Sequence, residues 1–257
     1  GTGLCLAQIY AKKGYNVIGT SRSTDLDVIA ELNKVAAKVY PLDVSDHASI
    51  AALTGRVQLL TPSLDILINN AGAMAMDSIK APAGKLAASL AMQFNINTVA
   101  PVLVTQALLA LLKSDARVGK DGDRTPKVAQ MSSTMGSITN NGSGGYYGCR
   151  ASKAALNMVT ASLARDIPDV AFVLLHPGFV KTRMTGGKGE VTPEVSAAML
   201  YDVVARAQLG DSASFSRATA RPSRGEFFFS VHGWGELEQN SGIEQSKKLC
   251  VMKNGLF

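Results

Sequence analysis

Two residues four positions apart, Cys149 and Lys153, carry the most distinctive chemistry in the run Tyr147-Gly148-Cys149-Arg150-Ala151-Ser152-Lys153. Residues at i and i+4 share a helix face, so the thiol and the ammonium are expected side by side. A neighbouring cation favours the ionised form of an acidic group and makes it a better proton donor or acceptor near neutrality. A phenol at 149 would use this fully. The thiol is shorter, with roughly half a phenol's reach, and its thiolate is a soft nucleophile.

The other candidates are glycines, amides and one arginine at the ends of apolar runs. Gly1-Thr2-Gly3 leads directly into an apolar-periodic helix, and glycines there let a pyrophosphate approach backbone N–H groups at the positive end of the helix dipole, which selects Gly1 and Gly3. The strand that follows ends in Ile18-Gly19-Thr20-Ser21-Arg22-Ser23. An acid in this place would grip a ribose 2′-hydroxyl, whereas Arg22 suits a 2′-phosphate by bidentate geometry, so NADP(H) is expected over NAD(H). Asp43, after the next strand, could meet an adenine amino group and is equally good as a turn or cap residue. Asn69-Asn70-Ala71-Gly72 suits a tight loop where backbone meets cofactor, which selects Asn70, Ala71 and Gly72.

Along the chain, short β-rich runs alternate with longer helical ones, the pattern of βαβ units around a parallel sheet in an α/β protein. Strands are expected at Asn16–Thr20, Lys38–Tyr40, Asp65–Ile68, Lys127–Met131, Val170–His176 and Glu226–Ser230. Helices are expected at Leu4–Lys13, Asp25–Ala36, Ser49–Leu60, Lys85–Leu112, Tyr146–Arg165 and Thr192–Gln208. The polar stretches Ser114–Thr125 and Asp211–Arg224 read as surface loops. With 257 residues, 46% apolar and 18% charged, the chain can bury one sizeable core. A net charge of +6 is spread rather than gathered into a stripe with aromatics, which argues against nucleic acid. The apolar run Val99–Leu112 is shorter than the ~18 residues of a membrane span, so no membrane partner is expected. Cys5, Cys149 and Cys250 have no metal-ligand spacing, which suggests no metal site, a reducing compartment and a cytoplasmic location.

In order and spacing, Gly1-Thr2-Gly3, Asn69-Asn70-Ala71-Gly72, Asn97, Ser133 in Met131-Ser132-Ser133-Thr134-Met135-Gly136, Lys153 and Pro177-Gly178-Phe179-Val180-Lys181-Thr182 resemble the short-chain dehydrogenase/reductase family over residues 1 to about 233. The runs Tyr147–Asn157 and His176–Gly187 are most similar to its carbonyl-reductase subgroup, which includes the sniffer and C-factor proteins. The resemblance implies a Rossmann-like, doubly wound sheet and NADP-dependent reduction of a small ketone or aldehyde, or the reverse. It also implies pairing as a homodimer or homotetramer, through helices such as those at Val99–Leu112 and Ala154–Ala164. In that family an Asn, Ser, Tyr, Lys tetrad does the chemistry. Asn97 would support a proton-relaying water, Ser133 would bond the substrate carbonyl, and Lys153 would hold the nicotinamide ribose. Pro177, Gly178, Val180 and Thr182 would line the nicotinamide side. Ser132 competes with Ser133 for its role.

Two departures stand out. Cys149 occupies the tyrosine position of the tetrad, which predicts either an impaired reductase or an NADP-binding pseudoenzyme acting through a partner. The family's first strand and the start of its glycine loop should precede Gly1. Without that strand the centre of the sheet is open, so a fragment that folds poorly is expected, with residues 234–257 as an extension of no assignable role.

Overall fold

The computed structural model of the chain describes residues 1–113, 125–212, 214–217 and 249–254. Within them a parallel sheet is assembled from β1 (Asn16–Ser21), β2 (Lys38–Pro41), β3 (Ile66–Asn69), β4 (Lys127–Met131), β5 (Ala171–His176), β6 (Ser214–Arg217) and β7 (Leu249–Asn254). The strand order is β2-β1-β7-β3-β4-β5-β6, and every neighbouring pair is parallel. Such a sheet is covered on both faces, so β3 and the residues of β5 up to Leu175 are buried on both sides and read as continuous apolar runs.

The expectation of an open centre is corrected by β7. It lies between β1 and β3, with Asn16 opposite Leu249 and Ser21 opposite Asn254 on one side, and Ile66 opposite Cys250 on the other. Both interior edges are therefore paired, which removes the reason to expect poor folding. Part of the supposed C-terminal extension thus belongs to the sheet. The expected strand at Glu226–Ser230 lies outside the described residues, as do residues 114–124 of the first polar loop. The second polar loop is not wholly irregular, because β6 falls within it.

One face carries α1 (Thr2–Lys12), α2 (Leu26–Asn33) and α7 (Pro193–Arg206), whose Leu6, Ala7, Tyr10, Leu32, Leu200 and Val204 pack with Val17, Ile68 and Val173. The opposite face carries α3 (His47–Gln58), α5 (Ala100–Leu112) and α6 (Tyr147–Asp166), around Ile50, Leu53, Leu108, Val128 and Phe172. Local chemistry sets the starts. Asp46 accepts the Ala48 N–H at 2.9 Å to cap α3, and α7 opens with Thr192 before Pro193, whose missing N–H costs nothing at a helix start.

The single helix expected over Lys85–Leu112 is α4 (Ala83–Phe94) and α5 joined by a π-turn at Asn95–Val99. Together they are long and apolar enough to cross a bilayer, but much of their surface is buried against the sheet and α6, as in a core helix. π-turns inside helices recur at functional sites, and this one carries Asn97.

Candidate active site

The sequence-selected residues converge along the carboxyl ends of the strands. Ser21 ends β1 and Arg22 follows it, Asn69 ends β3 with Asn70–Gly72 after it, Ser132 and Ser133 follow β4, and Pro177–Thr182 follow β5. Ligands in open α/β sheets bind at this end.

Asn97 is fully buried and its amide acts as a clamp. Its Oδ1 accepts the Ala73 N–H at 2.7 Å, while Nδ2 donates to Ala73 O at 2.8 Å and to Ser152 Oγ at 3.0 Å. The clamp fixes the loop after β3 against α6. A Cβ placed on Gly72 would lie 3.4 Å from Asn97 Oδ1 and 3.9 Å from Lys153 Nζ, so the glycine leaves space where both side chains meet. Asn69 serves as an anchor, donating to Pro101 O and Thr105 Oγ1.

Lys153 is buried and donates to Met131 O at 2.6 Å, which ties it to the end of β4. Burial pulls its pKa down to about 8, against an upward push from the Cys149 thiolate. Because the folded pKa lies below the unfolded one, the unfolded chain binds more protons between about pH 8 and 10.5. The group therefore lowers stability below pH 8, and the penalty fades as pH rises through that window. Relative to Lys153→Met, the wild-type melting temperature should climb between pH 7.5 and 10; parallel curves would contradict this burial.

Cys149 is buried, 5% exposed, and burial pushes its thiol pKa up, opposed by Lys153 and Arg150 and reinforced by Asp77. Reactive redox thiols are low in pKa and accessible, so this one lacks both marks. Ser133 is half-buried and caps the short helical turn Thr134–Gly136, where its Oγ accepts the Met135 N–H at 3.1 Å and keeps its own hydrogen available. Ser132 is buried and donates its hydroxyl to Asn157. Asp43 Oδ1 accepts from Ser45 N and Oγ, a turn role.

At the phosphate end, α1 begins at Gly1, which makes no side-chain cap hydrogen bond at the positive end of the helix. A Cβ on Gly1 would lie 3.9 Å from Thr182 Cγ2, so the start of α1 and the loop after β5 are neighbours. In that loop Pro177 O accepts from Ser196 at 2.7 Å, Gly178 takes φ +83°, and Val180 is buried, bridging to Val191.

One group was missed from sequence. The buried Asp77 carboxylate accepts the Gly148 N–H at 2.8 Å, the Ser89 hydroxyl at 2.6 Å and Gln93 Nε2 at 3.1 Å. Burial alone would raise its pKa, but these hydrogen bonds outweigh it and hold the carboxyl below its usual range. Gln93 also accepts the Ala75 N–H, so the cluster fixes the first turn of α6 one residue before Cys149. Its members are scattered over a loop, α4 and α6, and no local motif marks them.

A family model described as short chain dehydrogenase matches residues 1–192. The chain is 35% identical over 179 residues to the 1-hydroxy-2-glutathionyl-2-methyl-3-butene dehydrogenase of Rhodococcus sp. (strain AD45), covering 66% of this chain and 73% of that one. It is 40% identical over 129 residues to the C-signal protein of Myxococcus xanthus, covering 49% and 71%. Among solved structures, the NADPH-bound carbonyl reductase from chicken fatty liver superposes with a TM-score of 0.74 at 31% identity, covering 85% and 92%. The carbonyl reductase Sniffer of D. melanogaster gives 0.74 at 27% identity, covering 84% and 91%. The chain belongs to the short-chain dehydrogenase/reductase family and, within it, to the carbonyl-reductase-like subgroup.

Proposed function

We propose that the chain is an NADP-dependent oxidoreductase for a small ketone or aldehyde, weakened by Cys149. The observation that carries this reading is the convergence of Asn97, Gly72 and Lys153 beside the Ser133 turn. The fit to a dinucleotide rests on the uncapped start of α1, on the space left by Gly72, and on Ser21 and Arg22 where a ribose-binding acid would otherwise stand. Gly1, Gly3, Arg22, Asp43, Asn70, Ala71 and Gly72 would hold the cofactor's nucleotide part, with Lys153, Pro177, Gly178, Val180 and Thr182 at its nicotinamide end. When bound, the nicotinamide supplies a hydride to the carbonyl carbon, or takes one up in the reverse direction.

The protein's own residues then handle the oxygen. Ser133 donates its hydroxyl hydrogen to the carbonyl oxygen, and the Lys153 ammonium eases negative charge there. The proton that completes the alcohol falls to Cys149, whose S–H is a weak donor and whose reach is short. The Asn97 side chain is committed to Ala73 and Ser152, so its part here is to hold the loop after β3 against α6.

A second reading, a pseudoenzyme that binds NADP(H) and acts on a partner, is favoured by the buried thiol with its raised pKa. In either case Arg22 gives a preference for the phosphorylated cofactor. Fluorescence titration should show NADPH binding at least about tenfold more tightly than NADH, the gain of one charge-assisted contact. Equal or tighter NADH binding would sink the assignment. Measuring hydride transfer to a carbonyl panel in the same samples separates enzyme from pseudoenzyme.

We also propose a cytoplasmic setting, which the free thiols Cys5 and Cys149 support. Leu90, Phe94 and Val99 line an apolar groove beside α6, the face through which we propose homodimeric pairing.

A further inference from the structure

The π-turn Asn95–Val99 has to be held in place, because regular α-helical winding from α4 into α5 is the ordinary alternative to it. Two holds lie on the α6 side. Thr98 donates its hydroxyl to Ser152 O at 2.8 Å, and Asn97 is bonded to Ser152 Oγ and to the Ala73 backbone. The third lies on another side. Asn95 is half-buried, its Nδ2 donates to Ser45 O at 3.3 Å, and its Oδ1 lies 3.3 Å from His47 Nε2. Residues two apart on a helix do not face each other, so Asn95 and Asn97 grip the turn from different directions.

Ser45 lies in the connection between β2 and α3, and His47 opens α3. In that connection Asp43 Oδ1 accepts from Ser45 N at 2.9 Å and from Ser45 Oγ at 2.7 Å, while Asp43 N donates to Ser49 Oγ at 3.1 Å. Leu42 N donates to Ser21 O at 2.8 Å, which joins the same loop to the end of β1 beside Arg22. A chain of hydrogen bonds thus leads from the loop that carries Asp43, through Ser45, to Asn95. Two residues further on, Asn97 passes the hold to Ala73 in the loop after β3.

We propose that Asn95 is a positioning residue, which anchors the π-turn to the loop after β2 and so couples occupancy of the adenosine end of the site to the Asn97 clamp. The anchor stands on the hydrogen bonds alone; the coupling rests on the NADP reading above. The element with two arrangements is the π-turn, against the regular winding that it replaces. A nucleotide that orders the Asp43 loop gives Asn95 a firmer partner, which favours the π-turn and tightens Asn97 on Ala73. By linkage, the clamped form then binds the nucleotide more tightly by the same factor.

Hydrogen exchange at the Ala73 amide, whose N–H is held by Asn97 Oδ1, tests this. The unaltered chain and Asn95→Ala are compared with and without adenosine 2′,5′-bisphosphate, which carries the adenine and the 2′-phosphate but no nicotinamide; calorimetry checks binding. Alanine is a strong helix former, so the variant keeps its fold. Without nucleotide, Asn95→Ala should speed exchange at Ala73 at least about fivefold, the effect of losing one or two modest hydrogen bonds. Exchange at Val173, in the middle of β5, reports global unfolding and should stay within about twofold, whereas general destabilisation would move both amides alike. The nucleotide should slow Ala73 exchange at least about fivefold in the unaltered chain and have no effect on it in Asn95→Ala. Unchanged Ala73 exchange in the nucleotide-free variant, or an equal rise at Val173, would overturn the anchor. Bound nucleotide that slows Ala73 in neither protein, or equally in both, would overturn the coupling. If neither protein binds the nucleotide, the NADP reading falls and the coupling with it, while the nucleotide-free comparison still decides the anchor.

Discussion

Cys149→Tyr raises the rate of NADPH-dependent carbonyl reduction by at least about tenfold, within the ~10²–10⁴-fold that general acid catalysis typically supplies. The gain is expected because the rest of the machinery stands ready. Lys153 is fixed to Met131 O one helical turn from position 149, Asn97 is locked by Ala73 and Ser152, and Ser133 keeps a free hydroxyl hydrogen. A phenol there would reach further than the thiol and donate a stronger hydrogen bond. Position 149 is buried, so the new ring must point into the cleft; turned into the core it would cost about 1–3 kcal/mol of overpacking. Steady-state turnover, with the melting temperature as a folding check, reads the result. An unchanged rate in a folded variant that binds NADPH would show that position 149 does not limit the reaction.

The second large effect is on the start of α6. Asp77→Ala strips the acceptor from the Gly148 N–H, Gln93 Nε2 and the Ser89 hydroxyl together. The buried Gly148 N–H left unpaired costs about 1–3 kcal/mol, while Gln93 Nε2 keeps the Ser89 oxygens and the half-buried Ser89 hydroxyl turns to solvent. A total on the order of 2–4 kcal/mol lowers the melting temperature by roughly 5–10 °C in a domain of this size. Asp77→Asn, which keeps an acceptor, should lose less. Gly148 cannot relieve the site, because a Cβ there would lie 2.4 Å from Gln93 Nε2, an atom already held by the cluster. The sign with pH follows from the depressed carboxyl pKa. The carboxylate's contribution is present above the ordinary value of about 4 and is lost as pH falls below it. The gap between wild type and Asp77→Asn should therefore narrow in acid. Melting curves for both variants check this, and an unaltered Asp77→Ala would contradict the pinning role.

What the sequence revealed follows from what is local. The expected strands Asp65–Ile68 and Val170–His176 lie within a residue of Ile66–Asn69 and Ala171–His176 because a covered parallel strand is a continuous apolar run; Asn70, Ala71 and Gly72 read as site residues because they follow such a run, whereas Ser133 came only with the family resemblance. The π-turn at Asn95–Val99 left no mark, since its side chains continue the helical pattern around it. Asp77 was silent for a different reason: a lone acid in a loop shows nothing of the helix start that it holds until the chain is folded. Leu249–Asn254 was the largest miss. A short apolar run next to lysines has no partner nearby in sequence, and only the two edges of β1 and β3 define its place.

The central claim is that NADP(H) binding and carbonyl positioning are retained while the proton donor at 149 is deficient. Single-turnover oxidation of bound NADPH by a carbonyl substrate tests it most directly, with the unaltered chain and Cys149→Tyr compared at saturating cofactor. The account predicts matching NADPH affinities and a hydride-transfer phase at least about tenfold faster with tyrosine. Matching single-turnover rates, or no NADPH binding by either protein, would contradict it.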